Sequence, residues 1–213
     1  MIQDRVAPRR EEEPTVFVVD DESSVRSSLQ WLLESIRLKV ETFDSAESFL
    51  AKIVTDRPGC LVLDVRMPGL SGPELMDRLH EKHFGMPIIF LSGHGDVPLA
   101  VHTMKGGAFD FLQKPYNNQQ FLERVRNALE LDTKNRSMRR QQGDTATRID
   151  GLSGREREIL DLVIEGQSNK VIGRALGISY KTVEAHRARL MRKMGVASFA
   201  ELMQVVLAFR GHP

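Results

Sequence analysis

Cys60-Leu61-Val62-Leu63-Asp64 is an apolar run of strand length that stops on a carboxylate, and three further runs stop near a residue with chemistry to offer. Val16-Phe17-Val18-Val19 runs into Asp20-Asp21, Pro87 to Leu91 into Ser92, and Phe109 to Leu112 towards Lys114-Pro115. Such runs, rich in β-branched residues, read as strands. Amphipathic stretches of helical length lie near 22–36, 45–55, 72–82, 97–105 and 118–131, and 39–43 reads as a second strand. The pattern is βαβα, which predicts an α/β domain of five parallel strands and five helices. In an open parallel sheet the carboxyl ends of the strands meet at one crevice, so Asp20, Asp21, Asp64, Ser92 and Lys114 are expected to converge there.

The 213 residues, 41% of them hydrophobic, suffice for one large core or two small ones. The net charge of +1 hides two halves: residues 15–131 carry 12 basic and 16 acidic side chains, and residues 151–213 carry 10 and 6. A basic module suits a polyanionic partner. The single cysteine, Cys60, falls inside a buried strand, which excludes a disulfide framework and points to a reducing cytoplasm. No run approaches membrane-spanning length, and the start of the chain lacks a signal-peptide pattern, so no membrane partner is expected.

Residues 1–14 are polar, mixed in charge and end in Pro14, and read as a flexible tail. Residues 15–131 form the first domain. Residues 132–150 are polar, nearly without apolar spacing, and read as a linker that can be helical in its first half. Residues 151–213 read as four short helices: Ser153 with Glu156 and Ser198 with Glu201 match capping boxes, Ser168 and Ser179 precede helical patterns, and Gly166, Gly177 and Gly195 supply stops. Asn117 with Gln120 likewise resembles a capping box.

A carboxylate can accept a phosphoryl group as a nucleophile, and Asp64 is the candidate. Asp20 and Asp21 offer adjacent oxygen ligands for Mg²⁺. Lys114 would pair with a phosphoryl oxygen, helped by a cis bond to Pro115, and Ser92 would donate to another. Val18-Val19-Asp20-Asp21, Asp64-Val65-Arg66-Met67-Pro68-Gly69 and Phe111-Leu112-Gln113-Lys114-Pro115 resemble a bacterial response-regulator receiver domain, and Ser92-Gly93-His94-Gly95-Asp96-Val97-Pro98 resembles its FixJ-type branch. The resemblance implies a doubly wound (βα)₅ fold of the flavodoxin/CheY type. It also implies Mg²⁺ held by Asp20, Asp21, Asp64 and the Arg66 backbone carbonyl, phosphorylation by a sensor histidine kinase, and a switch in which Ser92 and Phe111 move together. Read without it, Phe111 is a core residue.

Residues 168–194 read as two helices joined by Gly177-Ile178-Ser179, a helix-turn-helix. Val183, Leu190 and Met194 would face the bundle, leaving Glu184, Ala185, Ala188 and Arg189 outward, flanked by Lys181 and Arg187. Small residues with a few long polar ones can enter a major groove: Arg reads guanine, Glu accepts from cytosine, and Ala meets a thymine methyl. Thr182, Arg192 and Lys193 suit phosphate contacts, and His186, on the packing side, reads as a satisfied core histidine. Leu152-Ser153-Gly154-Arg155-Glu156-Arg157-Glu158, Gly166-Gln167-Ser168-Asn169-Lys170-Val171-Ile172-Gly173 and Lys181-Thr182-Val183-Glu184-Ala185-His186-Arg187 are similar to the LuxR-type DNA-binding domain. With the receiver, this is the FixJ/NarL type of response regulator. It implies a transcription regulator rather than an enzyme, with double-stranded promoter DNA, RNA polymerase and, on phosphorylation, a second copy as partners. Many members carry a basic residue where this chain has Glu184 or Ala188.

Two other functions compete. A metal-dependent phosphatase also uses a strand-end Asp, Mg²⁺ and Lys, but haloacid-dehalogenase-type enzymes need a second Asp two residues on, and Arg66 stands there. A quorum-sensing relative would bind an acylated ligand, which the acidic cluster and the lone Trp31 do not suit.

Overall fold

The structure is a computed structural model that describes residues 13–53, 57–93 and 97–211. The expected flexible tail, residues 1–14, therefore lies almost wholly outside the described residues. Strands β1 (Thr15–Val19), β2 (Lys39–Phe43), β3 (Gly59–Asp64), β4 (Ile88–Ser92) and β5 (Asp110–Gln113) pair in parallel in the order β2-β1-β3-β4-β5. Between them run α1 (Ser23–Ser35), α2 (Ala46–Lys52), α3 (Gly72–Glu81) and α4 (Val97–Lys105), and α5 (Asn118–Asp150) follows β5.

Alternation along each strand divides the core into two layers. Phe17, Val19, Leu61, Leu63 and Phe90 pack with Ala46 and Phe49 of α2 and Leu75, Met76 and Leu79 of α3. Val16, Val18, Cys60, Val62, Ile89 and Leu91 pack with Leu29 and Leu33 of α1 and Phe121, Val125 and Ala128 of α5. Helices thus cover both faces, and the sheet is doubly wound. Strand order reverses between β1 and β3, which places the topological switch point where Asp20 and Asp64 end their strands.

The chain forms two compact units, residues 1–136 and 137–213. The stretch expected as a linker is helix throughout: α5 runs on to Asp150. Apolar spacing stops near 131, but helix-forming Lys, Arg, Gln and Met continue without proline, so the backbone keeps its helical bonds. In the second unit α6 (Gly154–Ile164), α7 (Asn169–Leu176), α8 (Tyr180–Met194) and α9 (Phe199–Arg210) enclose Ile159, Leu160, Val163, Ile172, Val183, Leu190, Leu202 and Val206. Ile149 at the end of α5 packs on this core, and Arg148 donates to the Met194 carbonyl at 2.9 Å.

Most helix-end signals hold. Glu156 accepts from both the N–H and the hydroxyl of Ser153, Ser168 and Ser179 cap α7 and α8, and Gly177 and Gly195 end them in the left-handed region. The Ser198 hydroxyl caps α9, but Glu201 reaches one residue further than a capping box would, to the Ala197 N–H. Asn117 accepts from the N–H groups of Gln119 and Gln120.

Candidate functional site

Asp20 follows the last residue of β1 and is 1% exposed, and Asp64 ends β3 and is 8% exposed. The Lys114 ammonium lies between them, donating to Asp20 Oδ2 at 2.9 Å and Asp64 Oδ1 at 2.7 Å. The Lys114-Pro115 bond is cis. Backbone N–H groups complete the carboxylates' partners: Glu22 donates to Asp20 Oδ1 at 2.9 Å and Arg66 to Asp64 Oδ2 at 2.8 Å. Ser92 is buried at the end of β4, and its carbonyl accepts from the Lys114 N–H at 2.7 Å. Phe111 is half-buried against the α2/α3 side of the core, two residues before the end of β5. Asp21 is exposed, and its carbonyl accepts from Arg26. His94 lies outside the described residues.

Burial raises the Asp64 pKa above its ordinary value, outweighing the hydrogen bond and charge of Lys114, and the charge of Asp20 pushes the same way. Burial alone would lower the Lys114 pKa, but its hydrogen bonds to Asp64 and Asp20, with their charges, hold it above its ordinary value. The ammonium therefore offsets the repulsion between two buried carboxylates and remains charged while doing so.

Among the described residues no three His, Cys, Asp or Glu side chains stand together as a metal-ligand group. Mg²⁺ does not require one: it takes one or two carboxylates and keeps water and phosphate oxygens. Asp20 and Asp64, linked through one ammonium, with the Arg66 carbonyl two residues after Asp64, are a hard oxygen set that fits this demand.

The start of α3 closes the back of the site. Gly72 N–H donates to the Val65 carbonyl at 3.1 Å, and a Cβ on Gly72 would stand 2.4 Å from the Asp64 carbonyl oxygen. Only glycine allows that approach. This role of Gly72 was not legible beforehand, because the contact is set by how α3 returns to β3.

On α8, Lys181, Thr182, Glu184, Ala185, Ala188, Arg189 and Arg192 are exposed, at a spacing that shares one side of the helix. Two expected DNA contacts are tied into the fold. Arg187 is half-buried and donates to Asn169 Oδ1 on α7 at 2.6 Å. Lys193 donates to buried Glu156 at 2.7 Å and to the Gly151 carbonyl at 3.1 Å. His186 is half-buried, and its Nδ1 finds no hydrogen-bond partner among the described residues, so its ring is not satisfied as expected. No helix among the described residues is long and apolar enough to cross a membrane.

Residues 16–126 match the response regulator receiver domain family, and residues 150–206 match the luxR family of bacterial regulatory proteins. The chain is 52% identical over 201 residues to the transcriptional regulatory protein TdiR of Thauera aromatica, covering 93% of this chain and 87% of TdiR. It is 46% identical over 193 residues to FixJ of Azorhizobium caulinodans, covering 90% and 91% of the two chains. Among solved structures it is similar to the response regulator StyR, with a TM-score of 0.84 and 45% identity over 91% of this chain and 98% of that one. Two strand-end carboxylates bridged by a lysine in the first unit and an exposed helix-turn-helix face in the second agree with both matches, and the chain belongs to the two-component response regulators that join a receiver domain to a LuxR-type DNA-binding domain.

Proposed function

We propose that this chain is a cytoplasmic transcription regulator switched by phosphorylation of Asp64. The observation that carries the reading is the Lys114 ammonium held between the buried carboxylates of Asp20 and Asp64. Residues 15–131 act as the receiver, 132–150 as the connection and 151–213 as the DNA-binding domain. A sensor histidine kinase supplies the phosphoryl group: a P–O bond forms to an Asp64 carboxylate oxygen as the P–N bond to the kinase histidine breaks. Lys114 then turns from a carboxylate to a phosphoryl oxygen, and the Ser92 hydroxyl donates to another. Asp20, Asp21, Asp64 and the Arg66 carbonyl would hold Mg²⁺, which would supply positive charge to offset that of the phosphoryl group.

Phosphorylation adds charge and three acceptor oxygens at Asp64, and the response is a joint movement of Ser92 and Phe111. The surface of α4, β5 and the start of α5 changes with it and pairs two copies. Val97, Val101 and Met104, exposed apolar side chains on α4, support that assignment. Pairing places two α8 helices on half-sites about one helical turn apart. There Glu184, Ala185, Ala188 and Arg189 read bases, while Lys181, Thr182 and Arg192 hold phosphates and RNA polymerase is the downstream partner. The names of TdiR and FixJ as transcriptional regulatory proteins support this outcome.

Incubation of the full-length protein with radiolabelled acetyl phosphate and Mg²⁺ tests the reading. Label is expected on wild type and absent from Asp64→Asn; label retained by Asp64→Asn, or found by mass spectrometry on another residue of wild type, refutes it.

A further inference from the structure

At the amino end of the sheet, opposite the end that carries Asp64, a second cluster of charges joins α5 to the strands. Asp132 is 1% exposed. Its Oδ2 accepts from the Gly59 N–H, at the start of β3, at 2.8 Å and from Arg136 Nε at 2.8 Å. Arg136 also donates to the Arg57 carbonyl. Arg57 in turn donates to Glu41 Oε2 on β2 at 3.0 Å, and its guanidinium lies 4.8 Å from the centre of the Phe17 ring. Gly59 has a φ of +150°, and a Cβ there would stand 1.9 Å from the Thr15 carbonyl oxygen, so glycine is required where the strand begins. Asp132 Oδ1 finds no hydrogen-bond partner among the described residues. A buried carboxylate with one oxygen unsatisfied is a feature that folding alone does not favour.

The last apolar contacts of α5 with the first core are Ala128 and Leu129. Beyond them the helix is polar and mostly exposed until Thr145, and a helix with neither packing nor a cap frays readily. We propose that Asp132 and Arg136 form a lock that fastens the first turn of this polar stretch to β2 and β3 of the first unit, so that α5 is held to the sheet for a full turn beyond its last apolar contact. The lock holds by two ends. Asp132 grips β3 through Gly59, and Arg136 bridges Asp132 to the Arg57–Glu41 pair. It makes no use of the phosphoacceptor chemistry, so its test stands whether or not Asp64 accepts phosphate.

Hydrogen–deuterium exchange on the full-length protein, unphosphorylated and at neutral pH, tests the lock by comparing wild type with Asp132→Ala, Arg136→Met and Arg139→Gln. Arg136→Met keeps the stem and the helix propensity while removing the guanidinium, and Arg139 is exposed one turn on. Exchange across residues 133–140 is expected to speed up by about tenfold or more in Asp132→Ala and Arg136→Met and to be unchanged in Arg139→Gln, with β1 and β3 as protected as in wild type. Unchanged exchange across 133–140 in both lock variants overturns the proposal. So does an equal acceleration in β1 and β3, which would make the cluster a general stability element.

Discussion

Replacing Lys193 with methionine should cost the second unit stability before it costs a DNA contact. The Lys193 ammonium is 2.7 Å from Glu156 Oε2, the same oxygen that accepts from the Ser153 N–H at 2.8 Å and its hydroxyl at 2.9 Å. Led by the Lys193 hydrogen bond, these contacts hold the Glu156 pKa down from 4.5 to about 2. One pKa unit corresponds to about 1.4 kcal/mol, so the whole set contributes at most about 3.5 kcal/mol. The Lys193 side chain is 45% exposed. Solvent screens its share, and the expected loss for Lys193→Met is about 1–2 kcal/mol. A carboxylate with a lowered folded-state pKa stabilises the fold above its unfolded value of 4.5, and that contribution fades as pH falls towards 2. The deficit of Lys193→Met should therefore be full at neutral pH and shrink through that acid window. Urea unfolding of the full-length protein, read by hydrogen exchange in peptides from 154–206, isolates the second unit. Unaltered stability at neutral pH with weakened binding to every duplex would instead make Lys193 a phosphate contact.

Arg189→Ala should weaken binding to the cognate duplex by about 1–3 kcal/mol and relax sequence preference, measured by titration against specific and random DNA; equal losses on both would make Arg189 a phosphate contact. Gly72→Ala should displace the Asp64 backbone and suppress labelling by acetyl phosphate, and labelling at the wild-type rate would show that α3 yields instead. Arg37, a non-glycine residue at φ +63° after α1, should tolerate glycine with a gain of about 0.5–1 kcal/mol, read as a higher urea midpoint.

The sheet and the meeting of Asp20, Asp64 and Lys114 were legible because strand pattern and strand-end chemistry coincide there. Buried parallel strands write themselves as apolar runs such as Cys60 to Leu63, and a parallel sheet brings their ends together without further information. The serine caps of α6 to α8 were legible for the same reason, since each is settled within four residues. What stayed hidden depends on partners distant in sequence. Asp132 is one polar residue in a polar stretch until β3 supplies the Gly59 N–H, and Lys193 is one more basic residue on a basic helix until Glu156 supplies a buried carboxylate. The helix was not read through the second half of 132–150 because amphipathic spacing reports packing against one core, and this stretch lacks it.

Control of DNA binding by the state of Asp64 is read from the affinity of the full-length protein for one selected duplex, with and without acetyl phosphate and Mg²⁺, in wild type and Asp64→Asn. The phosphoryl donor is expected to tighten wild-type binding by about tenfold or more and to leave Asp64→Asn unchanged. Equal affinity of wild type with and without the donor, under conditions where Asp64 is labelled, would contradict it.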